Sequence, residues 1–460
     1  MIADAIGREH RRRLGFWAVA LAFTTALAFT TVPTPLWSLY EQRDDLSSLL
    51  VTVIFAAYAV GVVVSLFLVG HVSDWLGRRR VLAAALLLNV GAGVVFLLWP
   101  QLPGLLVART ISGVGIGAIA ATATAWLVEL DTDRRRAEVV AAAANLGGLG
   151  AGALISGMLA QWTRAPLRVP FEVFVAALAI ALALVLGAPE TRQPARPRPR
   201  YRPQRVTVPP AAGRRFFAAA TAAAITFALF GLLTSLAPAF LATTLHEPSR
   251  ALAGAVTFAV FATAAIAQRL GASADLTRLL TRAVPTMIAG LALLTTAVWL
   301  PHPSLAVFLA GVILGGAGGG MLFKGAIATV SAFAAPENRA ETLAGVYLAA
   351  YLGLAGPVIG LGLLTQFLTT RLSLLIFAAS LATGLLLVTP HLLGRRSRRD
   401  PAHLHSRGAT PGLLRRHWRR QGRLREWCVR QAWARRAGVA RREAAPRRRR
   451  AWGRRRRSAA

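Results

Sequence analysis

Charged residues are few in the first half of this chain, and those that interrupt its apolar stretches define the chemistry it can offer. The segment GHVSDWLGRRR (residues 70–80) places Asp74 four residues before Arg78 and continues with Arg79 and Arg80. A carboxylate and guanidinium groups at this spacing can form hydrogen bonds at helix ends and ion pairs with adjacent helices. The segment therefore predicts hydrogen bonds or ion pairs between helices at this point of the chain.

Residue types that enzymes use for covalent or metal chemistry do not cluster in the sequence. The apolar stretches hold no paired carboxylates, no H-E-x-x-H motif and no Ser-His-Asp cluster. Cys428 is the single cysteine, which excludes an intrachain disulfide and a cysteine-cluster metal site. The glycines before Lys324 lack the spacing of a phosphate-binding loop. We therefore expect no enzyme activity, no cofactor and no metal.

Long apolar runs must position the charged residues. The chain has 460 residues, of which 55% are hydrophobic and 16% charged, whereas soluble domains carry about 25% charged residues. Apolar runs of about 20 residues are long enough to cross a bilayer as helices. The sequence predicts an all-α membrane protein with twelve spans, at 16–39, 50–69, 81–99, 104–128, 137–160, 170–188, 216–243, 251–267, 283–300, 304–331, 342–368 and 372–392.

The distribution of basic residues predicts the orientation of these spans. With the N-terminus inside, the inside segments before residue 394 hold 22 arginines and the outside loops hold five. Cytoplasmic loops are the ones enriched in Lys and Arg. We therefore expect a multi-pass protein of a bacterial cytoplasmic membrane, with both termini in the cytoplasm.

The two sets of six spans share sequence features that indicate a duplication. TTVPTPLW in the first span corresponds to TSLAPAFL in the seventh, and the fourth and tenth spans are both rich in glycine. Secondary transporters are commonly built from such repeats. We predict two pseudo-symmetric six-helix bundles, residues 1–188 and 215–393, joined by a cytoplasmic loop at 189–214 and followed by an Arg-rich tail at 394–460.

Several motifs resemble those of the major facilitator superfamily. Gly70-x-x-x-Asp74-x-x-Gly77-Arg78-Arg79 after the second span resembles the cytoplasmic loop signature of that superfamily. VARTISGVGIGA in the fourth span and GLGAGALISG in the fifth resemble further motifs, the latter those of the drug:proton antiporter branch, although Ala153 stands where proline is usual. PET at 189–191 matches a sequence found at the end of the sixth span.

The resemblance implies roles for particular residues. Gly70, Asp74, Gly77, Arg78 and Arg79 would form a conformational latch. Glu129 or Asp131, with Arg134 nearby, are candidate partners on the fourth span; the alternative is that the arginines only anchor the loop inside. Close helix packing is the expected role of the remaining motif residues, which are Gly113, Gly115, Gly117, Gly148, Gly152, Gly157, Gly356 and Pro357.

Two basic residues lie within predicted spans. An unpaired guanidinium in a bilayer costs a few kcal/mol or more, and the resemblance gives Arg109 a role in proton coupling or substrate contact. Lys324, the single lysine, could bind an anionic group or titrate. For both residues the alternative is that the side chain reaches the membrane surface.

Acidic residues are missing from the middle of the predicted spans. Glu41, Asp44, Asp45 and Glu129 lie near span ends and are poorer proton carriers than a buried carboxylate. A strongly cationic substrate is therefore less expected. Aromatic residues of the first span, such as Phe16, Trp17 and Trp37, are expected to pack or to face lipid.

The sequence thus predicts a secondary active transporter that works by alternating access, with proton-coupled export of small molecules favoured over proton-coupled uptake. A transport-inactive membrane receptor or scaffold is the alternative from another class. We expect a functional monomer whose partners are a small-molecule substrate, protons as the coupling ion and the lipid bilayer, and we do not expect nucleic acid.

The tail differs from the rest of the chain. It holds 24 of the 53 basic residues between Arg395 and Arg457, with four interspersed tryptophans. A disordered extension from a GC-rich coding region is the favoured interpretation. Adhesion to anionic lipids or contact with nucleic-acid phosphates are the alternatives.

Overall fold

The computed structural model describes residues 2–69, 72–192, 201, 203–208, 212–335 and 338–393, without the side chains of residues 2–6 and 8. Helices are the only regular elements in these ranges, and twelve helical segments are long and apolar enough to span a membrane. The predicted all-α, twelve-span membrane fold is therefore confirmed. Gly70, residues 193–200, 202 and 209–211 of the predicted central loop, and the Arg-rich tail, with its lipid and nucleic-acid alternatives, lie outside the described residues.

The first half of the chain contains eight helices that form six spans. The first span combines α1 with the short α2, α4 is a single turn, and the other five helices are one span each. Their bounds are α1 Ile2–Thr31, α2 Trp37–Asp44, α3 Ser48–Leu68, α4 Ser73–Leu76, α5 Arg78–Leu98, α6 Leu102–Leu130, α7 Arg134–Trp162 and α8 Val169–Gly187.

The second half contains seven helices, which include the other six spans. The seventh candidate span is α9 alone, and the predicted apolar run at 216–243 extends beyond it through the short α10. The bounds are α9 Gly213–Ser235, α10 Ala237–Thr243, α11 Arg250–Leu270, α12 Leu276–Trp299, α13 Leu305–Phe333, α14 Arg339–Leu364 and α15 Thr370–Leu392.

The first and seventh spans are both interrupted where the sequence places proline. A 3₁₀ turn at Thr34–Leu36 separates α1 from α2, and Leu36 is fully buried. Leu236 separates α9 from α10, whose first turn contains Pro238. Proline lacks the N–H that continues a helix. The break after Thr31 leaves carbonyl groups at the end of α1 free to accept hydrogen bonds inside the bundle.

Buried apolar side chains form two clusters. One contains residues from Phe16 to Ala188 together with Leu354. The other contains residues from Phe216 to Leu392. Leu354 of α14 therefore joins the core of the first half. Most contacts between the halves are made by α7 with α11 and by α3 with α14.

Small residues allow α7 and α11 to approach closely. A Cβ atom on Gly157 would lie 2.5 Å from the Arg250 carbonyl oxygen, and one on Gly254 would lie 2.4 Å from that of Ala153. At the end of this contact, the Arg250 guanidinium donates to the Ala160 carbonyl at 3.1 Å. The Gln161 side chain accepts from the Arg250 backbone N–H at 2.9 Å. Hydrogen bonds thus join the two halves beside the end of α7.

Part of the central loop contacts both halves at the opposite end of the bundle. Gln204 donates its backbone N–H to the Phe67 carbonyl at 2.9 Å and its side chain to the Ala340 carbonyl at 3.4 Å. The Thr207 hydroxyl donates to the Glu341 carboxylate. We call this end the Arg-rich face, because Arg78, Arg136 and Arg192 lie there, and the other end the opposite face.

Most of the glycines predicted for helix packing face a neighbouring helix. Gly113 and Gly117 of α6 face α3, and Gly115 faces Asn89 of α5. On α7, Gly148 and Gly152 face α1, and a Cβ on Gly152 would lie only 1.9 Å from the Ala28 carbonyl oxygen.

Gly356 departs from this pattern. It is exposed, and a Cβ atom there would meet nothing within 4 Å. The close approach in α14 is made three residues earlier, where a Cβ on Gly353 would lie 2.3 Å from the Ala224 carbonyl oxygen. Pro357 is half-buried inside α14, which continues through it to Leu364.

Candidate functional site

A charged network surrounds Arg78 at the Arg-rich face. The Arg78 side chain is only 6% exposed, and its Nη2 lies 3.0 Å from Glu129 Oε1 and 2.7 Å from Asp74 Oδ1. Nη1 donates to the Ser73 hydroxyl at 2.6 Å, and Nε lies 3.4 Å from Glu129 Oε2. The guanidinium fork is thus shared between two carboxylates and a hydroxyl, an arrangement that satisfies a buried arginine well.

Glu129 is the acceptor at the centre of this network. It lies in the last turn of α6 and, besides Arg78, accepts hydrogen bonds from the Thr191 hydroxyl and from Arg192 Nε at 3.0 Å. The hydrogen bond to Glu129 raises the pKa of the Arg192 guanidinium above its ordinary value. The carboxylate thus joins the end of α6 to the start of α5 and to the segment after α8.

Glu190 closes the network by capping α5. Its Oε1 accepts from the backbone N–H of Arg78 at 2.9 Å, and its Oε2 accepts from that of Arg79 at 3.0 Å. A carboxylate at a helix N-terminus satisfies free N–H groups and the helix dipole. Gly77 makes this possible, because its φ is 101° and a Cβ atom would lie 2.8 Å from Glu190 Oε2.

The other residues predicted for the latch lie around this centre. Asp74 does not cap the neighbouring helix; it pairs with Arg78 and stays 60% exposed. The Arg79 side chain reaches the Leu186 carbonyl at 3.4 Å. Arg134 is outside the network, since it is 80% exposed and pairs with Glu138 on its own helix. The second candidate partner of Arg78, Asp131, pairs with Arg136 at 3.6 Å instead.

Arg109 lies inside the first half, about two turns from the start of α6, and does not reach the surface. The residue is 2% exposed, and its Nη1 donates to the Thr30 carbonyl at 2.8 Å. That carbonyl is one of those left free at the end of α1. Within the described residues, Arg109 has no carboxylate partner and its Nε has no acceptor. The alternative that this side chain reaches the membrane surface does not fit these contacts.

Aromatic rings line the Arg109 guanidinium. Its Cζ lies 4.8 Å from the ring centre of Tyr58, 5.4 Å from that of Phe55 and 5.9 Å from that of Trp37. Such contacts stabilise a buried cation by about 1–2 kcal/mol. Trp37 is 1% exposed, and its Nε1–H also finds no acceptor among the described residues. Two buried N–H donors without acceptors therefore occur on neighbouring side chains.

A track of aromatic rings continues from this point into the second half. The Tyr58 hydroxyl interacts with the side chains of Thr30 and Tyr351. The Phe227 ring lies 5.5 Å from that of Tyr351 and 5.2 Å from that of Phe323, which in turn lies 6.0 Å from Tyr347. Tyr58 is buried, whereas Tyr347 is 36% exposed. The track therefore runs from a closed centre to an accessible ring.

Lys324 is half-buried in α13, about two and a half turns before the end of that helix, and lies beside the last turn of α11. Its Nζ donates to the Gln268 carbonyl at 2.7 Å. A cation at a helix C-terminus satisfies free carbonyl groups. The structure therefore gives the single lysine a contact that holds two helices of the second half together.

Sequence reasoning missed several members of both sites. The PET segment matches a family sequence, but that match does not indicate that Glu190 caps α5 or that Thr191 and Arg192 bind Glu129. The contacts of Trp37, Phe55 and Tyr58 with Arg109 could not be predicted either, because aromatic residues are common throughout the spans. The interrupted first span was the available signal for Trp37, which starts α2 directly after the break.

Comparisons with known proteins agree with this architecture. The sequence model of the Major Facilitator Superfamily matches residues 14–300. A solved structure of a variant of the nucleoside transporter NupG is similar with a TM-score of 0.64 and 13% identity, covering 82% of this chain and 99% of that one. The human organic anion transporter MFSD10 (TETRAN) is similar with a TM-score of 0.58 and 16% identity, covering 83% and 99%. No curated protein sequence matches significantly.

Proposed function

Because the chain belongs to the Major Facilitator Superfamily and is therefore a secondary transporter, we propose that it exports a small organic solute in exchange for protons. Alternating access would occur by rocking of residues 1–188 against residues 215–393. The observation that supports this most is the track of rings from both halves that ends at the buried Arg109. A solute held there would touch both halves and would be released when they move apart on one face.

The contacts between the halves support a rocking movement. At the opposite face, α7 and α11 meet through glycines and backbone carbonyls and without an ion pair. At the Arg-rich face, the segment 203–208 bridges α3 and α14 through a few hydrogen bonds. Separation of such interfaces would break van der Waals packing and a few hydrogen bonds.

The Arg78 network serves as the conformational latch of this proposal. It joins α4, α5, α6 and the segment after α8, all within the first half. Asp74 keeps most of its surface exposed, so it can exchange its contact with Arg78 for one formed in another state. Gly77, Arg78, Arg79 and Glu129 would hold the loop in the shape that presents Asp74.

Direction, coupling ion and surroundings are part of the proposal. The Arg-rich face would lie in the cytoplasm, with both termini, in a bacterial cytoplasmic membrane, and the monomer would be the working unit. Arg109 fits proton coupling or substrate contact, as its motif suggests. Uptake driven by protons is the second candidate, and the neighbouring structures, a nucleoside transporter and an organic anion transporter, indicate two solute classes to examine.

Transport by purified protein in lipid vesicles with an imposed pH gradient tests the proposal. Exchange for protons moves the solute towards the acidic side, whereas cotransport moves it towards the alkaline side. A panel of nucleosides, organic anions and organic cations would be measured, and we expect accumulation on the acidic side. Failure of every solute to move under any gradient would contradict the transporter function.

A bulky side chain placed between α7 and α11 tests alternating access itself. Gly157→Leu cannot fit while α7 packs on α11, because even a Cβ atom lies 2.5 Å from a carbonyl oxygen. We expect at least about tenfold slower transport, and the same for Gly254→Leu on the facing helix. The matched control is Gly147→Leu on α7, where a Cβ meets nothing within 4 Å. Equal rates for all three variants would exclude rocking at this contact.

A further inference from the structure

Arg109 has no counter-ion of full negative charge among the described residues. An arginine in a protein keeps its proton, and a buried ion without a counter-ion destabilises a fold by several kcal/mol. The Thr30 carbonyl at the end of α1 supplies only part of a negative charge. The three aromatic faces supply part of the remaining stabilisation. A site of this kind is completed by an anion.

The free donors indicate where that anion would bind. Arg109 Nε and Trp37 Nε1 are both buried and both lack an acceptor among the described residues. The Arg109 Cζ lies 5.9 Å from the centre of the Trp37 ring, so the two free donors belong to side chains in contact. An unpaired buried donor costs about 1–3 kcal/mol, which an incoming oxygen would recover. A carboxylate or a similar oxyanion can accept from both groups.

The rest of the site selects for an aromatic ring. Beyond Arg109, the track consists of the rings of Tyr58, Tyr351, Phe227, Phe323 and Tyr347. Aromatic rings favour edge-to-face and offset contacts with other rings. Among the described residues, no Asp or Glu acts on Arg109, so an organic cation would find no counter-charge beside this guanidinium.

We propose that the transported solute is a small organic anion that carries an aromatic ring, with its oxyanion on Arg109 and Trp37 and its ring against Tyr351 and Phe227. This inference rests on the proposed function, since it assigns a substrate class to the site between the two halves. Trp37 acts as a specificity-determining residue, because its N–H and not its ring alone contacts the anion.

Ligand-induced thermal stabilisation of the purified protein tests the proposal without requiring transport. The probes are four aromatic anions, namely benzoate, salicylate, phenylphosphonate and indole-3-acetate. They are compared with cyclohexanecarboxylate, neutral benzamide, cationic benzylamine and adenosine. At about 10 mM, a ligand with a dissociation constant of about 1 mM produces a measurable rise in Tm. We expect at least one aromatic anion to bind about fivefold or more tightly than every comparison compound.

Variants connect this preference to the residues. Arg109→Gln should weaken anion binding at least about thirtyfold, and Arg109→Lys should restore part of it. Trp37→Phe keeps an aromatic ring, although a smaller one, and removes the N–H, so we expect about fivefold weaker binding. Phe227→Leu should reduce the preference for benzoate over cyclohexanecarboxylate. Arg168→Gln, at an exposed arginine of the opposite face, is the control and should bind as the unmodified protein does.

The outcomes separate the two proposals. Stabilisation by benzylamine, benzamide or adenosine equal to that by the best anion, or equal anion binding by the Arg109→Gln variant, would overturn the substrate class while leaving transport standing. Absence of stabilisation by all four aromatic anions would overturn it as well. Anion binding without movement of any solute in vesicles would instead contradict the proposed transport and retain the binding site.

Discussion

Arg78 and Arg109 are buried to nearly the same degree, with 5% and 2% of their surfaces exposed, but their partners differ in kind. Arg78 meets two carboxylates and a hydroxyl within 3.0 Å. Arg109 meets one carbonyl and three ring faces, and one of its donors is unused. The first arginine lies at the end of the bundle and the second lies inside it.

This difference distinguishes a buried charge that stabilises the fold from a buried charge that is available to bind a ligand. A buried ion whose partners are all supplied by the chain contributes to one arrangement of the fold. A buried ion whose partners are incomplete lowers stability in the absence of a ligand, and folds retain such groups at functional sites. We therefore expect substitutions of the two arginines to have opposite balances between stability and activity.

Replacement of each arginine by methionine tests this comparison with the largest expected effect. Arg78→Met leaves Glu129 without its main partner, so we expect the free energy of unfolding to fall by about 3 kcal/mol. Arg109→Met removes an incompletely paired charge as well as one hydrogen bond, and we expect a change within about 1 kcal/mol. Thermal unfolding in detergent measures both values.

Transport completes this test. Both variants should transport poorly, Arg78→Met because the latch is broken and Arg109→Met because substrate binding is lost. Stabilisation by an aromatic anion should survive in Arg78→Met and disappear in Arg109→Met. Equal losses of stability in the two variants would show that Arg109 is as fully partnered as Arg78 and would remove the distinction.

Glu129→Gln has an intermediate expected effect, because an amide keeps the size of the side chain and removes the charge that three groups share. Hydrogen bonds to charged groups contribute about 1.5–3 kcal/mol, so we expect a loss of about 2 kcal/mol. The control is Glu172→Gln, whose ion pair with Arg168 is exposed on both sides and is worth about 0.5 kcal/mol. Similar losses in both variants would mean that the network around Glu129 stabilises the fold no more than an exposed ion pair does.

The twelve spans could be predicted because the bilayer imposes one strong constraint, a continuous apolar run. The ends of the helices were less predictable. α12 begins at Leu276, whereas its apolar run begins at 283, because its first turns carry the exposed Arg278 and Arg282. Hydropathy detects only the part of a helix that faces lipid.

The sites were predictable only where sequence spacing alone decides which groups meet. Arg78 and Glu129 follow from adjacent span ends on one face, and the structure places them together. The ring track and the Glu190 cap depend on how each helix is rotated about its axis, which small residues such as Gly152 and Gly353 set through close backbone approach. No local pattern encodes that rotation.

Substitution of Lys324 has the smallest expected effect. This residue is a third basic group to compare with Arg78 and Arg109. Its ammonium group donates to one backbone carbonyl, as Arg109 does, but the residue is only half-buried, and no cation–π contact to it occurs among the described residues. A cation at a helix C-terminus contributes about 0.3–1 kcal/mol, so Lys324→Met should lower the free energy of unfolding by no more than about 1 kcal/mol and leave anion binding intact. Lys324→Arg, which keeps the charge, should restore the stability. A loss of anion binding in Lys324→Met that Lys324→Arg repairs would show that Arg109 is not the only cation that anion binding requires.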